Sequence, residues 1–183
     1  MGTPMGLGHD DTTAQRLRLL QREFTQPVRS GPGDGRSSRP THAPAPVNLG
    51  VVDRIRAAVY EVEHHTRTAA PEAGPFTGPV ERVYDWARDH TAHLEAQQQK
   101  AREAIIYRQG LEHALAMGDT LVIRRLPCPQ CGCVGMYWRA PIRRALCVNH
   151  YCTDDNGVSN MWELKRLAQD YIARKESVAR RAT

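Results

Sequence analysis

No run of about 18 consecutive apolar residues occurs in this 183-residue chain, so a membrane-spanning helix is not expected. The N-terminus also lacks the cationic-then-apolar layout of a secretory signal. An even cysteine count is missing too. The five cysteines all lie between positions 128 and 152, an awkward number for a secreted disulfide framework, whereas a reducing cytosol would keep them as free ligands. A cytoplasmic location is therefore expected. Lysine is scarce, with only Lys100, Lys165 and Lys175 among 25 basic residues; such a bias suits GC-rich coding and speaks to source rather than mechanism. Catalytic fingerprints are absent as well: there is no G-x-S-x-G, no P-loop and no dinucleotide-binding glycine pattern.

Large apolar side chains are nearly absent from residues 26–47, which are rich in Pro, Gly, Ser and Arg and cannot bury enough surface to offset their ordering entropy. A disordered linker is expected there. Ahead of it, Leu17, Leu20 and Phe24 recur at helical spacing, with Asp11 or Thr12 as a cap, and predict a short helix over 11–24 able to dock on something or to fray.

From Asn48 the pattern changes. Val52, Ile55, Val59, Val62, Thr66 and Ala69 alternate at three- and four-residue steps, predicting an amphipathic helix capped by Asn48 and closed by Pro71 and Gly74-Pro75. A second helix is expected from Pro79, with Thr77 or Gly78 as cap, to Met117, where Gly118 ends it. Unbroken, it would span roughly 55 to 60 Å. Its stripe, Val80, Val83, Ala87, Leu94, Ala101, Ala104, Ile105, Leu111 and Leu115, is interrupted by His90, Gln97, Gln98 and Arg108. The choice is between an antiparallel helical hairpin and a coiled-coil arm that pairs with itself or a protein partner through residues 79–117. His90 with His93, and Glu61 with His64, invite a di-metal site, but a di-metal bundle needs two Glu-x-x-His pairs and only one is present.

The sharpest signal lies beyond. Cys128, Cys131, Cys147 and Cys152 stand as C-x2-C-x15-C-x4-C, a spacing that suits one tetrahedral Zn2+. Pro127 and Gly132 shape the first turn so that thiolates and backbone N–H groups converge. Two rival ligands compete for the fourth position: Cys133, through a C-x-C with Cys131, and His150, through C-x2-H with Cys147. Residues 120–126 are β-branched and apolar and predict a strand, with further short strands over 134–138 and 142–146. Two knuckles sharing one ion at the ends of a small sheet make a zinc ribbon. Thioredoxin-like redox chemistry at Cys128-x-x-Cys131 would need a βαβ setting that is not visible. A four-cysteine site is coordinatively closed, which argues against catalysis.

The run Cys147-Val148-Asn149-His150-Tyr151-Cys152-Thr153-Asp154-Asp155-Asn156-Gly157 resembles the second knuckle of small zinc-ribbon proteins of actinobacteria and their phages, with their C-x-N-x-x-C-x-D-[DE]-x-G pattern. The resemblance covers about residues 126–157 and implies Cys147 and Cys152 as zinc ligands. His150 stands where a Pro is common in that family, which keeps it in play as a ligand.

Charge is distributed unevenly. Residues 1–119 hold 14 basic against 15 acidic side chains and residues 120–183 hold 11 against 5, so formal net charge moves from −1 to +6. Four thiolates on one divalent ion carry a net charge of about −2 and leave the second segment basic. A final helix is expected from an Asn160/Glu163 capping box, with Trp162, Leu164, Leu167, Ala168, Tyr171 and Ile172 on its apolar side. Arg124, Arg125, Arg139, Arg143, Arg144, Lys165 and Arg166 form a candidate phosphate-facing surface, with Tyr137 or Trp138 able to stack on a base.

The expected architecture is mainly α with a small β zinc ribbon. Residues 1–47 are mostly disordered, 48–118 two amphipathic helices, 119–158 the ribbon, and 159–183 a basic C-terminal helix. The expected role is non-enzymatic: DNA or RNA binding of a regulatory or accessory kind, or else adaptor work through the long helix with zinc purely structural.

Overall fold

The computed structural model describes residues 9–25 and 49–181. The disordered linker expected over 26–47, and the Asn48 cap, fall outside these residues. The elements in order are α1 (His9–Thr25), α2 (Leu49–Ala69), α3 (Val83–Thr91), α4 (Ala96–Ala116), the single turn α5 (Leu121–Arg124), β1 (Tyr137–Arg139), β2 (Arg144–Leu146), β3 (Met161–Trp162) and α6 (Leu164–Arg181). The mainly helical architecture with one small antiparallel sheet is the one the sequence predicts.

α4 is the axis of the molecule, packing against α1, α2, α3 and α6. Ile106 joins Leu17, Leu20, Ile55, Val62, Val83, Tyr84 and Ala87 in one core, while Leu111, one and a half turns on, joins Ile123, Leu126, Met136, Leu164 and Leu167 in another. The two cores are thus threaded on a single helix. α1 begins at His9, so Asp11 and Thr12 lie within it rather than capping it, and Leu17 and Leu20 are fully buried. The short helix docks instead of fraying, because α4 offers it a place of close approach: a Cβ on Gly110 would lie 2.5 Å from the Thr13 hydroxyl. Arg16 donates to the Gly110 carbonyl at 3.2 Å.

The continuous helix expected from Pro79 to Met117 is broken. A 3-10 turn (Val80–Arg82), with Pro79 rather than Thr77 or Gly78 at its start, leads into α3, which stops at Thr91; the chain then turns over residues 92–95. The glutamines that looked like mere interruptions make this corner. Glu95 takes an extended conformation and its N–H donates to Gln98 Oε1 at 3.3 Å, while Gln99 Nε2 donates to the carbonyls of Ala92 and Leu94 at 2.9 and 2.7 Å. Side-chain amides here satisfy backbone groups that an uninterrupted helix would have satisfied itself. Buried Arg102 donates to Thr91 Oγ1 at 2.6 Å, and the paired Arg88–Glu103 bridge at 3.1 Å ties α3 to α4. At its far end α4 closes as expected, with Gly118 at φ +82° and the N–H groups of Gly118 and Asp119 donating to Leu115 and Ala114 carbonyls.

The strand expected over 120–126 is instead α5. Asp119 Oδ1 accepts the Leu121 N–H at 3.0 Å and the Thr120 carbonyl accepts that of Ile123, which starts a helical turn and places Ile123 and Leu126, three apart, in the same core. β1 and β2 are shorter than the 134–138 and 142–146 runs, paired Tyr137 to Leu146 and Arg139 to Arg144 across a tight turn through Ala140–Ile142. β3, unexpected from sequence, pairs with β2. Trp162 belongs to this strand, and α6 starts only at Leu164, so Asn160 and Glu163 do not form the anticipated capping box. Tyr171 stacks on Tyr107 with ring centroids 4.1 Å apart, fastening α6 to α4.

Candidate metal centre and its basic surroundings

Two knuckles bring four sulfurs together. In the first, Pro127 bridges to Val134, the Gly132 N–H donates to the Cys128 carbonyl and the Cys128 N–H to the Cys133 carbonyl, both at 2.9 Å. The reversal needs Gly132 at φ +73°, a conformation that a Cβ disfavours. The second knuckle is closed by Asn160: its carbonyl accepts the Cys147 N–H and its own N–H donates to the Cys152 carbonyl, each at 3.0 Å. Within it the Cys152 N–H donates to the Asn149 carbonyl at 2.9 Å.

The Sγ atoms of Cys128, Cys131, Cys147 and Cys152 all lie within 4.8 Å of one another, with Cys128 to Cys152 at 3.8 Å and Cys131 to Cys147 at 3.6 Å. A tetrahedron with metal–sulfur bonds of about 2.3 Å has sulfur–sulfur edges of about 3.8 Å, so the four cysteines form a group able to hold one metal ion. Cys128, Cys147 and Cys152 are buried and Cys131 is exposed, so any ion would be sheltered on three sides. Neither rival belongs to the cluster. Cys133 is exposed, held by Asn149 Nδ2 at 3.6 Å, and His150 turns its ring onto Tyr151. Among the described residues this is the one such group; His90 Nδ1 instead faces the Trp86 carbonyl at 2.8 Å and His93 pairs with Glu72 at 3.4 Å.

The sulfurs differ electrostatically. The backbone N–H of Cys133, donated to Cys131, draws that thiol down to about 6, whereas burial pushes Cys147 up to about 12. A divalent ion would override the difference, because a coordinating thiol loses its proton outright. Beyond the ligands, Asn160 Nδ2 donates to Cys152 Sγ at 3.4 Å and Arg174, anchored on Asp170 at 2.6 Å, donates to the Cys128 carbonyl at 3.3 Å. Sequence reasoning missed both roles. The spacing of Asn160 and Glu163 suggests only a helix cap, and Arg174 lies 46 residues from its partner, a separation that no local pattern encodes.

Of the seven basic residues singled out from sequence, three line one cavity and four do not. Arg143, Arg144 and Lys165 line a cavity of about 910 Å³ between α4, α6 and the β1–β2 turn, together with Trp138 and Ile142. Arg139 faces Arg144 across the ladder, and Arg166 is exposed in the first turn of α6. Arg124 and Arg125, at the end of α5, are exposed and do not line this cavity. Arg144 is paired with Glu163 at 3.0 Å, whereas Arg143, at φ +52° in the turn, and Lys165 have no ion pair among the described residues.

No helix among the described residues is long and apolar enough to cross a membrane. Comparison of the chain with protein-family models, curated proteins and solved structures returns no match.

Proposed function

We propose that the chain is a non-enzymatic zinc-ribbon protein that binds nucleic acid through its basic C-terminal half. One observation carries the reading: the four clustered sulfurs sit in knuckles that flank the small sheet, and the turn joining its first two strands and the helix that follows it carry Arg143 and Lys165, which have no ion pair among the described residues. An all-thiolate tetrahedral donor set suits Zn2+ and leaves no position for substrate or water, which assigns the ion to structure rather than catalysis. The resemblance of residues 126–157 to small zinc-ribbon proteins points the same way.

Placement of charge supports the nucleic-acid part. Lys165 and Arg166 sit in the first turn of α6, at the positive end of its dipole, with no acidic residue in that turn. Cations there disfavour the helix by a few tenths of a kcal/mol each, and an anionic partner would offset that. Pairing through residues 79–117 has less behind it, because α4 uses Ile106, Leu111 and Ala114 inside the chain.

The test is binding of fluorescent duplex and single-stranded oligonucleotides by the zinc-loaded chain from about 50 to 200 mM salt. Affinity should fall steeply with salt, and Arg139→Glu with Arg166→Glu should flatten the slope. Absence of binding at about 50 mM, where counterion release favours it most, overturns the proposal.

A further inference from the structure

Two cavities meet at Arg143. The larger, of about 910 Å³, runs from Trp138 and Ile142 along α4 and α6; the smaller, of about 410 Å³, lies between the first turns of α2 (Gly50, Arg54) and the middle of α4 (Arg108, Glu112, His113). Glu61, Arg108, Glu112 and Arg143 line both, so they form one cleft.

Its charge is not balanced. Glu61 and Glu112 both pair with Arg108, leaving that trio with one net negative charge. Arg54 and Arg143 have no ion pair among the described residues and are exposed, so the small cavity carries one net positive charge with two guanidinium groups free to turn toward a ligand. His113 lines it as well and is 1% exposed, and its Nδ1 is buried with no hydrogen-bond partner. An unpaired ring nitrogen in the interior is costly, and a small turn of the ring toward the cavity would let a ligand oxygen supply what it lacks. Burial first, then Arg54, Arg16 and Arg108, hold this imidazole neutral, so it can donate one N–H without adding charge. The opening turn of α2 adds backbone N–H groups that have no helical partner.

We propose that this cleft is a phosphate site: Arg54 and Arg143, beside His113, hold a phosphate group, and the adjoining cavity takes its base against Trp138. The ligand class is a nucleotide phosphate, either free or within a single strand. Arg54 and His113 lie in the helical half, so the inference extends the contact surface beyond the ribbon; it rests on the nucleic-acid reading and names the part of the molecule that would do the binding. Two cations on a flexible stem and a rigid fork suit phosphate oxygens, and an aromatic face accepts any base.

The experiment uses the full zinc-loaded chain with three probes: labelled octathymidylate, adenosine 5′-monophosphate and inorganic phosphate. Wild type is compared with Arg54→Ala, His113→Asn and Trp138→Leu, with Arg82→Ala as an equal-charge control outside the cleft; zinc content and helical circular dichroism verify folding. Arg54→Ala should weaken all three probes at least fivefold and lower the salt slope for the strand by about one. Trp138→Leu should weaken the strand and the nucleotide about tenfold while sparing inorganic phosphate. If the strand binds but Arg54→Ala behaves like Arg82→Ala, the cleft is overturned and the basic ribbon stands. If the strand does not bind, the nucleic-acid reading falls, and the phosphate site survives only where Arg54→Ala weakens the nucleotide. Failure of every probe overturns both.

Discussion

The two cores on α4 are built from different materials. The helical core draws Leu17, Leu20, Ile55, Val62, Val83, Tyr84 and Ile106 from four helices, so side-chain burial alone can hold it, at about 1.5 to 3 kcal/mol for each large side chain. The ribbon core has ten buried members, and three of them are Cys128, Cys147 and Cys152. Its strands are three, three and two residues long. So short a sheet cannot be independently stable, and the ion that the cysteines are spaced for would replace missing apolar surface with metal–sulfur bonds. One chain thus sets a half with enough apolar surface to fold by packing beside a half whose four clustered cysteines could supply by coordination what its packing lacks.

The strongest way to break this comparison is to remove the ion. Chelation, or Cys128→Ser, is expected to unfold residues 127–162 while α1 to α4 persist, since structural zinc contributes on the order of 10 kcal/mol in small zinc peptides. Amide exchange resolved by peptide should show fast exchange confined to the ribbon; uniform loss of protection would mean that the halves are not separable. Cys133→Ser should leave zinc stoichiometry at one, because its sulfur lies outside the cluster. The reciprocal change is Ile106→Ala, which empties part of the helical core and should destabilise that half by about 2 to 5 kcal/mol without releasing zinc. Denaturant unfolding followed in parallel with a zinc-release indicator separates the two.

What could be read beforehand divides along the same line. The cysteine spacing reached the cluster because ligand geometry is a local constraint, repeated at each knuckle, and Gly132 and Gly157 both take the positive φ that such turns use. The helices were legible from Ile55, Val62 and Ala87, whose spacing reports a buried face. The break at residues 92–95 was not, because helical periodicity continues across it, and the decisive bonds come from Gln98 and Gln99, residues that favour helix almost everywhere. Val122 and Ile123 misled for the opposite reason: β-branched propensity is weak, and the Asp119 side chain holding the Leu121 N–H, with burial of Ile123 and Leu126, overrode it. Asn160, Arg54 and His113 acquire their surroundings only through tertiary contact, which no window along the chain contains.

A pH series sharpens the comparison further. Burial, followed by the neighbouring Arg54, Arg16 and Arg108, depresses His113 to about 4, against about 6.5 in the unfolded chain. The unfolded state therefore binds the extra proton between those values. Stability from this group is complete above about 6.5 and is lost as pH falls toward 4, by about 3 kcal/mol in all. The helical half of wild type should weaken over that window, and His113→Asn should flatten the loss; an unchanged slope would mean that another group carries it.

The smallest expected effect probes the junction of α1 with α4. Gly110 lies inside a helix, where Ala would ordinarily be favoured by about 1 kcal/mol. In this helix a methyl would meet Thr13 Oγ1 at 2.5 Å, and Thr13 is itself buried, so its side chain cannot swing into solvent. Overpacking of this kind costs about 1 to 3 kcal/mol, which sets the net change for Gly110→Ala at about 1 kcal/mol of destabilisation. Truncating the obstacle tests whether crowding is the cause. Thr13→Ala with Gly110→Ala should recover the helix-propensity gain and be more stable than Gly110→Ala alone, whereas additive losses in the double-mutant cycle would show that the glycine serves the helix for some reason other than the approach of α1.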